Sequence, residues 1–459
     1  PPGPRSMSTP HTPPPNPARR RFLTRTAAAG ALALGGSGLS CATTGAAQAA
    51  WDERLRPVKA NPKVNQLAPD QPIRLALIGS GGMGGGHLDA LLSYRERGEE
   101  KLELVAVAEV CQPRLDTGVD KCRKRQPGVE VQGYRDYREL LARGDLHGVV
   151  VASPEHWHAK HSVEAMQAGL DVYCEKPLTR HLIDALWMQR QARAGAQILQ
   201  VGTQYMMKTD HNKAKELIRA GAIGQPTWSQ TSYCRNSKNG EWLYGIDKNV
   251  APGAMLDWEA WCGPEGVDEW DTEVYHRWRR YKKWSTGIIG DLLVHQMTPL
   301  LYAMDLGAPT RVVASGGHLV DKAMENHDQV NLLLEFSDEQ GNQVHQMSIA
   351  GSTCNDRGFD TIIRGHEADL LLGNESKLVL KPQSPFVDDV DPQEFPCETG
   401  DWQDALRKDW LACIRSRRPN RSQIDLGVAH MVAVELATRS IWERSAFTYD
   451  PRTQAVRAV

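Results

Sequence analysis

Three glycines at the spacing Gly79-x-Gly81-x-x-Gly84, within Gly79-Ser80-Gly81-Gly82-Met83-Gly84, are suited to cradling the pyrophosphate of a dinucleotide. The first permits a tight turn, and the second lets backbone approach a phosphate with no Cβ in the way. The third lets the next helix pack close to the strand before it. Free N–H groups and the positive end of the helix dipole then face the anion. Downstream, Glu109 closes an apolar run. An acid there hydrogen-bonds ribose hydroxyls and repels a 2′-phosphate, which favours NAD and leaves NADP as the alternative. Arg114 faces either a phosphate or the adenine ring.

That chemistry requires a strand before the loop and a helix after it, and the sequence offers both. Leu75–Ile78 reads as a strand buried on both faces, and a helical pattern runs from the glycines to near Arg97. Strands and helices then alternate from residue 73 to 204, as a parallel sheet with crossovers requires. The stretch Tyr134–Leu141 reads as one short helix, and Asp171–Cys174 as a strand running into Glu175-Lys176-Pro177. From residue 205 to 459 the rhythm changes to alternating strands separated by turn residues, with helices near the end at 401–415 and 426–443; the second of these is expected to return to the first domain. The expected fold is therefore α/β plus α+β. It has an N-terminal Rossmann dinucleotide-binding domain (73–204) and an open, mostly antiparallel sheet domain (205–459).

The 459 residues carry a formal net charge of −2, which makes no case for nucleic acid or an anionic membrane. The nine cysteines show no paired spacing for zinc or iron–sulfur, and no metal site is expected. Residues 1–50 read as a leader. Arg19-Arg20-Arg21-Phe22-Leu23 precedes a mildly apolar stretch, with Ala47-Gln48-Ala49 as a cleavage site, a pattern that resembles a Tat export signal. Periplasmic or other extracytoplasmic localisation follows. Gly38-Leu39-Ser40-Cys41 is a poorer match to a lipobox and makes lipid attachment at Cys41 the second choice. Residues 51–72, with Pro57, Pro62 and Pro69, read as an arm lying over the surface.

Other residues carry chemistry by type and place. Lys176 lies just past the carboxyl end of a parallel strand, where such sheets bind ligands. Asp291 and His295 are four apart in a helical stretch and share a face. His156 and His158 follow the strand 146–152, either lining the site or beginning a helix. Residues 242–284 hold Trp242, Trp258, Trp261, Trp270, Trp278 and Trp284. Indole faces suit sugar rings, but most are expected to pack the segment onto the sheet. The basic run Arg277, Arg279, Arg280, Lys282, Lys283 reads more as a solvated face than as a clamp for an acidic sugar.

The chain resembles the Gfo/Idh/MocA family, the glucose–fructose oxidoreductase and inositol dehydrogenase group. The matching pieces are Gly79-x-Gly81-x-x-Gly84, Glu109, Tyr134-x-Asp136-Tyr137, Ser153-Pro154-x-His156-Trp157-His158, Glu175-Lys176-Pro177 and Gly290-Asp291-x-x-x-His295. The resemblance implies catalytic residues Lys176, Asp291 and His295. Lys176 would polarise the substrate oxygen, Asp291 would hold the substrate or orient the imidazole, and His295 would act as a general base with a pKa near neutrality. It further implies NAD contacts from Gly79, Ser80, Gly81, Gly82, Met83, Gly84, Glu109, Arg114, Ser153, His156, His158, Glu175 and Lys176. Substrate contacts fall to Lys176, Trp258, Asp291 and His295. The family's glycine-rich lead-in to Asp291 is replaced by Trp284-Ser-Thr-Gly-Ile-Ile-Gly290, so Ile288 and Ile289 are expected to narrow the site. The function expected is hydride transfer from a CH–OH carbon of a sugar, polyol or sugar derivative to a tightly held, internally recycled nicotinamide. The alternatives are a redox-neutral NAD-dependent glycosidase and a non-catalytic sugar-binding protein. A homo-oligomer through the C-terminal sheet is also expected.

Overall fold

In the computed structural model, which describes residues 58–374 and 376–459, Ile73–Ile78 is a strand (β1) with Leu75, Ala76, Leu77 and Ile78 all buried. Its burial on both faces follows from crossover helices on each side of a parallel sheet. After it come α1 (Gly82–Glu96), β2 (Leu102–Ala108), α2 (Gln112–Arg125), β3 (Gln132–Tyr134) and α3 (Tyr137–Leu141). Next are β4 (Gly148–Val151), α4 (His158–Gln167), β5 (Asp171–Cys174), α5 (Leu182–Ala194) and β6 (Leu199–Val201). The order is β3-β2-β1-β4-β5-β6, all parallel. The order reverses between β1 and β4, and that switch opens a crevice at the carboxyl ends of the strands.

The stretch expected to be one helix from Tyr134 divides. Tyr134 is paired with Ala108 as the last residue of β3. Asp136 then caps α3, its Oδ1 accepting from the Arg138 N–H at 2.9 Å.

The second half contains α6 (Thr209–Arg219), β7 (Pro226–Asn236), α7 (Trp258–Cys262), α8 (Thr272–His276) and α9 (Val294–Ala303). Then follow β8 (Arg311–Gly317), β9 (Gln329–Ser337), β10 (Gln343–Ser352), β11 (Cys354–Asn355), β12 (Thr361–Gly365), β13 (Ala368–Asn374), β14 (Lys377–Pro382) and β15 (Gln393–Pro396). The chain ends with α10 (Trp402–Ser416), α11 (Ile424–Glu443), β16 (Phe447–Asp450) and β17 (Ala455–Ala458). Among the described residues these strands form one sheet, ordered β15-β14-β13-β12-β7-β10-β9-β8-β16-β17, with β11 beside β7. Only the β7–β10 pair is parallel. The side chains of β9 alternate inward and outward, and the outer face of the sheet exposes Val313, Trp228 and Phe359.

Both terminal helices return to the parallel sheet, not the second alone. Leu406, Trp410, Leu411 and Ile414 of α10 share one core with Ile73, Leu75, Leu77 and Tyr173. Helix α11 crosses β6 at Gly427, where a Cβ would lie 3.1 Å from Val201. The described part of the arm lies along the amino ends of β4–β6. The Asn65 side-chain amide donates to the His147 carbonyl at 2.7 Å, and that of Gln197 to the Lys63 carbonyl at 2.8 Å. The twin-arginine segment, Cys41 and the first residues of the arm lie outside the described residues.

Candidate active site

The glycine loop has the shape its spacing suggests. Gly79 has φ +91°, and a Cβ there would lie 2.6 Å from the Ser153 nitrogen. At Gly84 a Cβ would lie 1.9 Å from the Gly79 carbonyl oxygen, so only glycine lets α1 start this close to β1. Gly81 and Gly82 face open space instead. A Cβ on Gly81 would meet only Arg114 Nη1 at 3.7 Å, and one on Gly82 nothing within 4 Å. The Glu109 carboxylate accepts from the N–H groups of Ser80 (2.9 Å) and Cys111 (3.0 Å). Each oxygen keeps a lone pair for a ribose hydroxyl. The Ser80 hydroxyl donates to the Arg114 carbonyl at 2.9 Å, and the Arg114 guanidinium lies 5.0 Å over the Tyr275 ring, a flat cation beside Gly81. Met83 is exposed at the start of α1. An open glycine floor, a helix N-terminus, an acid and a planar cation fit a dinucleotide.

Lys176 leaves the carboxyl end of β5 through a cis peptide bond to Pro177. Its Nζ donates to Asp291 Oδ1 at 2.9 Å and to the Asp291 carbonyl at 2.8 Å. Asp291 sits in a single π turn, Ile289–Leu293, that leads into α9. Gly290 makes that turn possible, since a Cβ there would be 1.9 Å from Thr286 Oγ1. A second cation that sequence reading did not place here, Arg279, donates from Nε to the same Oδ1 at 3.0 Å. Burial opposes ionisation of Asp291, but Lys176 and Arg279 outweigh it and hold its carboxyl well below the usual range.

His295, one turn beyond Asp291, is buried, and its Nδ1 has no hydrogen-bond partner. The rings of Tyr205 and Tyr233 lie 5.6 and 6.2 Å from it. Its pKa is not near neutrality. Burial, seconded by the Lys176 charge, pushes it down to about 3. The imidazole is therefore neutral at physiological pH. Tyr205, which sequence reading missed, follows β6 as Lys176 follows β5, and the rule that ligands sit at strand carboxyl ends is the signal that points to it.

Behind Lys176 runs a buried relay. Glu175 Oε1 accepts from His87 Nε2 at 2.9 Å, its other oxygen accepts from the Lys176 N–H at 3.2 Å, and Arg407 of α10 donates to His87 Nδ1 at 3.0 Å. A second buried acid, Glu155, accepts from the Thr286 N–H at 2.9 Å and so ties the loop after β4 to the lead-in of Asp291. Burial pushes Glu155 up to about 7 against the pull of Arg180.

Several expected site side chains are taken up by protein partners. His156 Nε2–H donates to the Trp261 carbonyl (2.8 Å), and His158 bridges the carbonyls of Pro177 and Ser153 (2.8 Å each). Both rings brace loops through these backbone carbonyls. The Ser153 hydroxyl is paired with His161 Nδ1 at 3.0 Å. Trp258 stacks on Trp261 with ring centres 4.8 Å apart and donates to the Asp268 carbonyl at 2.8 Å. It belongs to a core with Trp284, Tyr275, Leu256 and Cys111, because a surface indole stack is worth more buried than wet. Ile288 and Ile289 are buried as well. Ile288 packs where a Cβ on Gly351 of β10 would be 2.6 Å away, so it fills the core under the π turn and does not narrow the cleft.

Two family models match this chain. One, described as the oxidoreductase family with an NAD-binding Rossmann fold (GFO_IDH_MocA), covers residues 73–203, and its C-terminal alpha/beta domain covers residues 266–448. The inositol 2-dehydrogenase of Mycolicibacterium smegmatis is 34% identical over 155 residues, 34% of this chain and 42% of that protein. A glycosyl hydrolase family 109 protein of Parabacteroides distasonis is 23% identical over 337 residues, 70% of this chain and 66% of that protein. The chain spans less than half the length of the inositol 2-dehydrogenases it matches. Among solved structures, levoglucosan dehydrogenase in complex with NADH shares the fold with a TM-score of 0.60 at 19% identity, covering 82% of this chain and 98% of that one.

Proposed function

Because the chain belongs to the Gfo/Idh/MocA oxidoreductase family, with an NAD-binding Rossmann domain, we propose that it is an exported enzyme oxidising a CH–OH carbon of a sugar, polyol or sugar derivative. The observation that carries this reading is the meeting of Lys176, at the carboxyl end of β5, with Asp291, one turn before the neutral His295. When bound, NAD supplies the hydride acceptor at its nicotinamide ring. The chain's residues do the rest. Lys176 hydrogen-bonds the substrate oxygen and stabilises alkoxide character. The neutral His295 has the lone pair needed to take the hydroxyl proton, and Asp291 favours the imidazolium so formed. Asp291 also fixes the Lys176 ammonium, leaving it no freedom to swing into solvent.

Export rests on Arg19-Arg20-Arg21-Phe22-Leu23. An exported enzyme meets no soluble nicotinamide pool, so the cofactor is held and recycled in place. A second reading, an NAD-dependent glycoside hydrolase working by transient oxidation, elimination and re-reduction, is favoured by one observation. The family 109 relative aligns across both halves of the chain. Pairing of two copies through the outer sheet face fits its exposed Val313, Trp228 and Phe359.

The test is to purify the exported protein folded, denature it and assay the supernatant for NAD(H) and NADP(H). Stoichiometric release followed by turnover of sugar pairs supports an oxidoreductase. Turnover of aryl glycosides without net cofactor reduction moves the assignment to the hydrolase. Neither bound cofactor nor binding of added cofactor leaves the sugar-binding alternative. Replacement of Arg19 and Arg20 by Lys should strand the protein in the cytoplasm.

A further inference from the structure

The five cations of the run from Arg277 to Lys283 have different fates. Arg277 bonds Glu273 and the Tyr244 carbonyl. Arg280 is buried on Asp321, with Nη1 and Nη2 at 2.7 and 3.0 Å from its two oxygens. Lys282 lies over the Trp442 ring, and Lys283 pairs with Asp268. Arg279 alone turns to Asp291. Its position is fixed three ways. Asn326 Nδ2 donates to its carbonyl at 2.9 Å, the Trp278 ring lies 4.2 Å beneath the guanidinium, and Nε is held by Asp291.

Only Nε of that guanidinium is engaged. Among the described residues no protein acceptor meets either terminal nitrogen, and these are the nitrogens that form a two-pronged match to a carboxylate. Lys176 and Arg279 share the single carboxylate of Asp291. Glu175 is answered by Arg407 through His87, and Glu155 by Arg180. His295 adds no charge of its own. The Arg279 side chain is 23% exposed, beside Lys176 at 10% and Asp291 at 9%. A guanidinium held by Nε alone keeps both terminal nitrogens for an anion that can accept from the two together.

We propose that Arg279 selects a substrate bearing a carboxylate close to the carbinol that Lys176 holds, so that this site takes uronic acids or similarly acidic sugars in preference to neutral ones. The proposal rests on reading the cleft as the site of carbinol oxidation.

The experiment is calorimetric binding to the cofactor-containing protein of hexuronates, the corresponding hexoses and hexose 6-phosphates of gluco, galacto and manno configuration. Turnover of each is followed in parallel. At least one hexuronate should bind roughly 10- to 100-fold more tightly than its hexose, the span of a charge-assisted hydrogen bond. Arg279→Lys, which keeps the charge, should retain part of that ratio, and Arg279→Gln should bring it close to one, with the melting temperature reporting that each variant is folded. Equal binding of uronate and hexose, tighter binding of the phosphate ester, or no uronate binding at all overturns the proposal. A uronate preference that depends on Arg279 but comes with no hydride transfer keeps the anion selection and sinks the oxidoreductase reading instead.

Discussion

Arg407 Nε donates to His87 Nδ1 at 3.0 Å, and because a guanidinium can only donate, this fixes the proton of His87 on Nε2, where it serves Glu175. A residue of α10 thus decides the tautomer of one in α1, and through it the carboxylate beside Lys176. Arg407→Met should cost about 1.5–3 kcal/mol of unfolding free energy, the worth of a buried hydrogen bond from a charged donor. Urea unfolding measures it, and Arg407→Lys should restore part. A cost below about 0.5 kcal/mol would place the relay among inert surface contacts.

Lys176→Ala should lower kcat at least ~100-fold, the scale of losing a positioned proton-transfer or oxyanion group. Steady-state kinetics on a carbinol substrate, beside an unfolding curve showing the variant folded, decides it. Undiminished turnover would remove Lys176 from the chemistry.

Two glycines separate binding from folding. Gly81→Ala meets only an arginine tip, so the cofactor-free protein should melt unchanged while its NAD affinity falls about tenfold or more, since the Cβ stands where a phosphate must approach. Gly84→Ala drives a Cβ into the Gly79 carbonyl and should prevent a stable fold. Equal NAD affinity in Gly81→Ala and the parent would put the dinucleotide elsewhere.

Trp258→Ala should cost about 3–5 kcal/mol of stability, as truncation of a core tryptophan does. Trp258→Phe, which keeps an apolar ring but loses the bond to the Asp268 carbonyl, should leave KM as it was. A rise in KM with stability intact would return Trp258 to the substrate site.

Glu155 sets a pH dependence of stability. Its folded pKa, about 7, lies above that of a free carboxyl. The folded state therefore binds the proton more tightly. The contribution is complete below the ordinary carboxyl pKa and is lost as pH rises through about 7. Unfolding free energies at about pH 5 and about pH 8 should show the parent losing stability that Glu155→Gln keeps. Parallel behaviour of the two proteins would contradict the shift.

The sequence made legible whatever depends on local spacing. The glycine turn, the acid at Glu109, the strand running into Lys176 and the four-residue step from Asp291 to His295 all repeat or punctuate within a few residues. What it concealed depends on partners far along the chain. Nothing in Arg277–Lys283 marks Arg279 as the cation that turns inward, because its acceptor lies in a π turn that hydrophobic periodicity cannot reveal. His156 and His158 have the residue type of a site, yet their partners are backbone carbonyls, which every sequence supplies. The short strand Gln393–Pro396 has too little apolar content to announce itself. His295 carries an ordinary pKa in the sequence and loses it only through burial that tertiary packing creates.

The core that joins Leu406, Trp410, Leu411 and Ile414 to Ile73, Leu75 and Tyr173 bears on the order of events at the ribosome. The nucleotide-binding half is synthesised early, but its apolar floor stays open until α10, about two hundred residues later, has emerged. Until then its β-strands wait with their interior uncovered. The binding half is thus no module that could be cut out and kept, and the arrival of α10 becomes the event that closes it.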